Sequence, residues 1–236
     1  QRDARRCVDR SLETAGCAVL CGGTGLYLDA VIDEMDFPSG DASSGRRARY
    51  EAVAREQGPE SLWALLRDRD PESAAAVHPN NVRRVVRALE LADQGESYAE
   101  RTRHLRRREP HYAARIWALV PERETLYARI DGRVDEMFAA GLVDEVRALD
   151  EAGIRRSATA SQAIGYKEVL AALDGRCTLE EAREQVKRST RRYAKRQLSW
   201  IRRDGRATVV PMGETTVEQA AALVTDDLRR SVEPGR

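Results

Sequence analysis

Residues 17–33 read CAVLCGGTGLYLDAVID. A short apolar run ends in Gly22, Gly23, Thr24 and Gly25, and an amphipathic segment follows. Glycines at such a junction permit a sharp turn and a close backbone approach. A strand over 17–21, a turn over 22–25 and a helix over 26–33 are expected. ARIWALVP, 114–121, reads as a second buried strand, and ATVVP, 207–211, as a third. Between them lie helical patterns, the first with Leu126, Ile130, Val134, Met137 and Phe138 on one face and Gly141 as its stop. Further helices are expected over 142–151, 160–174, 178–203 and 215–230.

Strand, helix and strand in that order predict an α/β fold built on a parallel sheet with helices on both faces. Three strands are few for so much helix. The opening QRDARRCVDR already reads as helix. N-terminal strands upstream of Gln1 are therefore expected. Residues 41–108 show helical spacing throughout. Gly58 ends one helix, Pro59 suits the first turn of the next, and Asp70-Pro71 caps a third. Val82, Val85, Val86, Leu89 and Leu91 mark one more apolar stripe, with arginines between them. The expected domains are an α/β core of 1–38 and 112–236 and an all-helical insertion of 39–111.

Composition narrows the classes. Charged residues make up 33% of the 236, yet the net charge is only +1, so local basic faces matter more than the total. No apolar run reaches the roughly 18–20 residues of a membrane span, and the charged opening is no secretory signal. Four cysteines lack zinc-type spacing, which suits reduced thiols in a cytosolic protein. A monomer without membrane attachment is expected. Three histidines leave little for a His-based triad or metal cluster, and no metal ligands are assigned.

Four motifs carry chemistry. The Gly22-Gly23-Thr24-Gly25 turn can offer backbone N–H groups and a hydroxyl to an anion, or serve only as a tight connection. It is not a complete P-loop, since no G-x-x-x-x-G-K-[ST] occurs. Arg129 and Arg133 stand four apart on one helical face. They suit a diphosphate clamp, or a solvated face with Arg129 paired to Asp135 or Glu136. RRYAKRQLSWIRR, 191–203, mixes six basic residues with Tyr193 and Trp200. Basic groups contact phosphates and aromatics stack on bases, although an amphipathic helix looks the same. The run RTRHLRRR, 101–108, has the same two readings. Gln162 in SQAIGYKE offers an amide to a base edge, or begins a helix that packs on Gly165.

GGTGLYLDA, HPNNVRRVVRALE, RIDGRVDEMFAAGLVDEV, QAIGYKE and YAKRQLSW, in that order, resemble the tRNA dimethylallyltransferase family over almost the whole chain. The resemblance implies a P-loop-NTPase-like α/β core with a helical insertion that clamps the anticodon stem. It implies transfer of a dimethylallyl group from dimethylallyl diphosphate to N6 of adenosine 37 in tRNA, with Mg²⁺ as cofactor. It places Thr24 and Arg133 at the reaction centre and Gly22, Gly23, Thr24, Arg129 and Arg133 around the diphosphate. It turns Arg84, Arg87, Gln162, Lys167, Lys195, Arg196 and Gln197 toward tRNA. The target base leaves its stack to enter the site.

The family's P-loop and the aspartate resembling its general base fall upstream of Gln1, so the chain alone is expected to be inactive. Asn81 stands where aspartate is usual, and Ser199 where threonine is usual. Two rival readings stay open: a catalytically silent RNA-binding protein, and a prenyltransferase acting on free adenine nucleotides.

Overall fold

The structure is a computed structural model and describes residues 1–37, 45–106 and 109–232. In chain order its elements are α1 (Arg2–Ala15), α2 (Gly25–Ile32), α3 (Arg46–Gln57), α4 (Pro59–Arg69), α5 (Pro71–Ala76), α6 (Val82–Ala92), α7 (Tyr98–Arg106), β1 (Ile116–Val120), α8 (Arg123–Ala139), α9 (Leu142–Glu151), α10 (Tyr166–Leu173), α11 (Leu179–Arg203), β2 (Ala207–Pro211) and α12 (Val217–Val232). The fold is α/β, mostly helical around a small parallel sheet in which Ile116 pairs with Ala207 and Val120 with Pro211. Among the described residues no helix is long and apolar enough to cross a membrane.

The chain forms two compact units, one of 1–28 and 114–236, the other of 29–113. In the first, Leu142, Val146, Val169 and Leu170 form a buried cluster against which Met137, Phe138 and Tyr166 pack. Two expectations fail here. Residues 17–21 make no ladder, and Val19 is 83% exposed. A strand exists only where a neighbour takes its N–H and C=O groups, and among the described residues this run has none. The helix expected over 160–174 is broken. Residues Ala160–Gln162 form a 3-10 turn, and Gly165, at φ 102°, starts α10 afresh. A side chain is strained at that φ, so the glycine sets the break.

The second unit packs Tyr50, Leu62, Leu66, Val85, Val86 and Leu89 into one core. The apolar stripe of α6 supplies three of these, as its spacing predicts. Polar groups join the helices at the core's edge. Tyr50 donates to Asp93 at 2.7 Å, and Arg69 donates to both the Tyr50 oxygen (2.8 Å) and Asp93 (2.7 Å). Trp63 donates to the carbonyls of Ala74 and Val77 at the end of α5. The segments by which the chain enters and leaves this unit run side by side, with Glu34 N–H on the Glu109 carbonyl and His111 N–H on that of Ile32. The expected domain boundary between residues 38 and 39 and the last two residues of the basic run 101–108 lie outside the described residues.

Asp70 caps α5. Its carboxylate accepts the Ser73 N–H at 3.0 Å and the Ser73 hydroxyl, which in turn accepts the Ala99 N–H at 2.9 Å. Burial alone would raise the Asp70 pKa, but the Ser73 hydrogen bonds outweigh it and hold it below its ordinary value. Glu90 follows the same balance, with Arg47 and Arg87 outweighing burial. A lowered folded pKa contributes stability that is present above the ordinary value and lost as pH falls through the folded one. This unit is therefore expected to lose stability once pH drops below about 4. Asp70→Ala is expected to cost about 1–2 kcal/mol and to flatten that acid dependence. Urea melts followed by hydrogen exchange in residues 45–106, at pH 7 and pH 3.5, measure both.

Candidate active site

The turn at 22–25 lies against α11. The position a Cβ would take at Gly25 is 2.2 Å from the Trp200 ring, and at Gly23 it is 2.2 Å from the Gln197 amide nitrogen. Between them the Thr24 hydroxyl meets the Tyr193 hydroxyl at 3.0 Å, joining residues 169 apart in sequence. The Thr24 carbonyl begins α2 by accepting the N–H groups of Tyr27 and Leu28. At Gly25 the ring beside the turn leaves no room for a side chain. Positive φ plays no part, since neither Gly23 nor Gly25 adopts it.

Tyr193, Gln197 and Trp200 are spaced i, i+4 and i+7, which puts them on one face of α11. That helix is well founded. Thr178 accepts the Glu181 N–H at 3.1 Å and Glu181 accepts the Thr178 N–H at 2.8 Å, a reciprocal cap. Acids begin it and Arg202 and Arg203 end it, both matching its dipole. Its opposite face meets α8. Arg191 reaches both oxygens of Asp131, at 2.5 and 2.6 Å, and Lys187 reaches Asp135 at 2.8 Å.

These pairs bear on one partner expected for Arg129, Asp135. Asp135 is held by Lys187 and Arg183, so it does not neutralise Arg129. Both arginines lie about 200° around α8 from the acids that face α11. They are exposed and make no ion pair or hydrogen bond among the described residues. No contact among those residues joins either arginine to Thr24.

The residues expected to face tRNA fall in three places. Lys195 and Arg196 are exposed on α11, with the Arg196 guanidinium 5.5 Å above the Tyr193 ring. Gln162 and Lys167 line a cavity of about 540 Å³ together with Arg155, Cys177 and Gln185. Their neighbour Glu168 is structural: it accepts the Gly165 N–H at 2.9 Å and the Ser189 hydroxyl at 3.0 Å, tying α10 to α11. In the helical unit Arg84 is exposed, whereas Arg87 is half-buried and pairs with Glu90 at 3.3 Å. Asn81 sits at the start of α6 and makes no side-chain cap bond. Ser199 donates to the Lys195 carbonyl at 2.9 Å, a bond that threonine's hydroxyl also makes.

Tyr193 and Trp200 are the residues the sequence reading quoted without assigning to the site. Their spacing with Gln197 was the available signal. The Asp131–Arg191 pair had none, because 60 residues separate its members.

The two glycines differ in a testable way. At Gly23 the obstacle is the end of a flexible side chain, which can swing aside. At Gly25 it is an indole built into a packed helix. Gly25→Ala is expected to destabilise the protein by about 1–3 kcal/mol and to shift the Trp200 indole N–H resonance. Gly23→Ala is expected to change stability by less than about 0.5 kcal/mol. Thermal melts and amide NMR spectra of both variants check this.

The IPP transferase family model matches residues 1–204. The tRNA dimethylallyltransferase of Thermobifida fusca (strain YX) is 47% identical over 230 residues, covering 96% of this chain and 70% of the relative. The crystal structure of a tRNA delta(2)-isopentenylpyrophosphate transferase from Staphylococcus epidermidis is similar with TM-score 0.61 and 28% identity, over 98% of this chain and 76% of that one. A eukaryotic dimethylallyltransferase acting on tRNA is similar with TM-score 0.67 and 26% identity, over 89% and 56%. The chain spans 58–70% of the length of the curated relatives it matches. A family match over most of the sequence, together with relatives of this identity and coverage, makes this chain a member of the IPP transferase family.

Proposed function

We propose that this chain acts in the transfer of a dimethylallyl group from dimethylallyl diphosphate to N6 of adenosine 37 in tRNA. The observation that carries the reading is the seating of the Thr24 turn on α11. It puts a hydroxyl, a half-buried amide and an aromatic pair beside one another, with the exposed Arg196 over the Tyr193 ring. The relatives' activity on tRNA supports it.

In the reaction the adenine N6 attacks C1 of the dimethylallyl group, the C1–O bond breaks, and diphosphate leaves with the electron pair. N6 then gives up a proton. The amine is a weak nucleophile, so alignment and charge stabilisation of the leaving group supply much of the rate. Thr24 donates a hydrogen bond to the diphosphate beside the Gly22 and Gly23 backbone. Arg133, with Arg129 one turn away, supplies positive charge, and among the described residues neither forms an ion pair with an acid of α8. Lys195 and Arg196 contact tRNA phosphates, and the amides of Gln197 and Gln162 read unpaired bases. Neither amide spends a hydrogen bond inside the protein among the described residues. Lys167 lies beside Gln162, while in the helical unit the exposed Arg84 contacts tRNA phosphates next to Arg87, which Glu90 holds in place.

Mg²⁺ neutralises diphosphate oxygens when present. Among the described residues no three His, Cys, Asp or Glu side chains converge on one point. These residues alone do not build a resident metal site, and Thr24 offers it a single hydroxyl oxygen.

Transfer of labelled dimethylallyl to an anticodon stem-loop carrying A36-A37 tests the reading. It is run on this chain and on the chain completed with the part of the T. fusca relative outside the match. Transfer by the completed chain is the expected outcome, and stem-loop binding without any transfer overturns it. Arg133→Ala is expected to lower kcat by about 10²-fold or more with stability unchanged within about 0.5 kcal/mol, because the side chain makes no internal pair. Lys195→Ala is expected to weaken stem-loop binding and to reduce its log-log salt slope by about 1, measured by fluorescence anisotropy between 50 and 200 mM salt.

A further inference from the structure

Thr24 stands where a helix begins, and a threonine there ordinarily turns its hydroxyl back to accept an N–H of the first turn. In this chain the hydroxyl meets the Tyr193 phenol instead, and the first turn's N–H groups of Tyr27 and Leu28 go to the Thr24 carbonyl. The phenol is itself held. Its ring carries the Arg196 guanidinium 5.5 Å above it, and its helix is anchored one residue on by the buried Ala194. Thr24 lies just outside the helix, where a threonine side chain has more than one staggered rotamer open to it and its hydroxyl proton rotates freely. A fixed partner removes both freedoms.

We propose that Tyr193 is a positioning residue that sets the rotamer and proton direction of the Thr24 hydroxyl, an inference resting on the prenyl-transfer reading above. The bond can run either way. If Thr24 donates to Tyr193, it shows only lone pairs outward, and these repel a diphosphate. If Tyr193 donates to Thr24, the threonine proton is left to point outward as a donor. An anion therefore selects the relay from Tyr193 O–H to Thr24 O–H to diphosphate oxygen, in which each bond polarises the next. The phenol never touches the reacting atoms. It acts through Thr24.

Tyr193→Phe tests this, because it removes one oxygen and keeps the ring under Arg196. In this 236-residue chain with labelled threonine methyls, three-bond couplings report the Thr24 χ1 angle. The expected result is one rotamer in the parent chain and averaging in Tyr193→Phe, with the melting temperature unchanged. In the completed chain Tyr193→Phe is expected to lower kcat about tenfold with KM for the stem-loop held within about twofold. In a Thr24→Ala background the same change is expected to have no further effect. An unaltered Thr24 coupling overturns the proposal, as does a kcat loss that multiplies with that of Thr24→Ala. An active parent with an unaffected Tyr193→Phe variant overturns this inference alone. An inactive completed parent overturns the prenyl-transfer reading and the inference with it.

Discussion

The Trp200 indole fills the space where a side chain at residue 25 would stand. That approach brings the 22–25 turn onto α11 and sets the Thr24 hydroxyl opposite the Tyr193 phenol. A small residue lets two backbones close up, and the partner's bulk then fills what the missing side chain leaves. The aromatic and the glycine form one packing unit. Either alone would leave a clash or a void, and a void in a packed region costs stability in proportion to its size.

Charge follows a similar division on α8. Asp131 and Asp135 meet Arg191, Lys187 and Arg183 of α11, so acids and bases cancel along that seam. Partly exposed pairs of this kind contribute little energy each. Their larger effect is to occupy Asp131 and Asp135. Arg129 and Arg133, on the far side of the helix, are left with positive charge and no ion-pair partner among the described residues. A near-neutral chain thus carries uncancelled guanidiniums where the helix turns them outward.

The helical unit is organised by different means. Its core is mainly aliphatic, with Tyr50 buried in it and Trp63 and Tyr98 packed against it, and short polar bridges join its helices at the edge. Arg87 belongs to this framework through Glu90, whereas its neighbour Arg84 is exposed. Two arginines three residues apart on one helix therefore differ in their freedom to meet a partner.

Local signals were legible in the sequence. Gly58 with Pro59, Asp70 with Pro71, and Gly141 mark helix ends through backbone preferences that need no tertiary contact. The apolar stripes of α6 and α8 and the order of strand and helix pointed to an α/β chain with a helical segment. The sequence also places Tyr193, Gln197 and Trp200 on one face, since helical spacing alone requires it. Tertiary structure decided the rest. Residues 17–21 have a strand's composition and no strand, because a ladder depends on a neighbour. Gly25 reads as a flexible turn residue and is required by a ring 175 positions away. Arg129 could equally have paired with Asp135 until α11 supplied Lys187 and Arg183. Periodicity and capping are written within a few residues of one another, whereas close approach and charge cancellation depend on which distant side chain arrives, and only the folded chain chooses that.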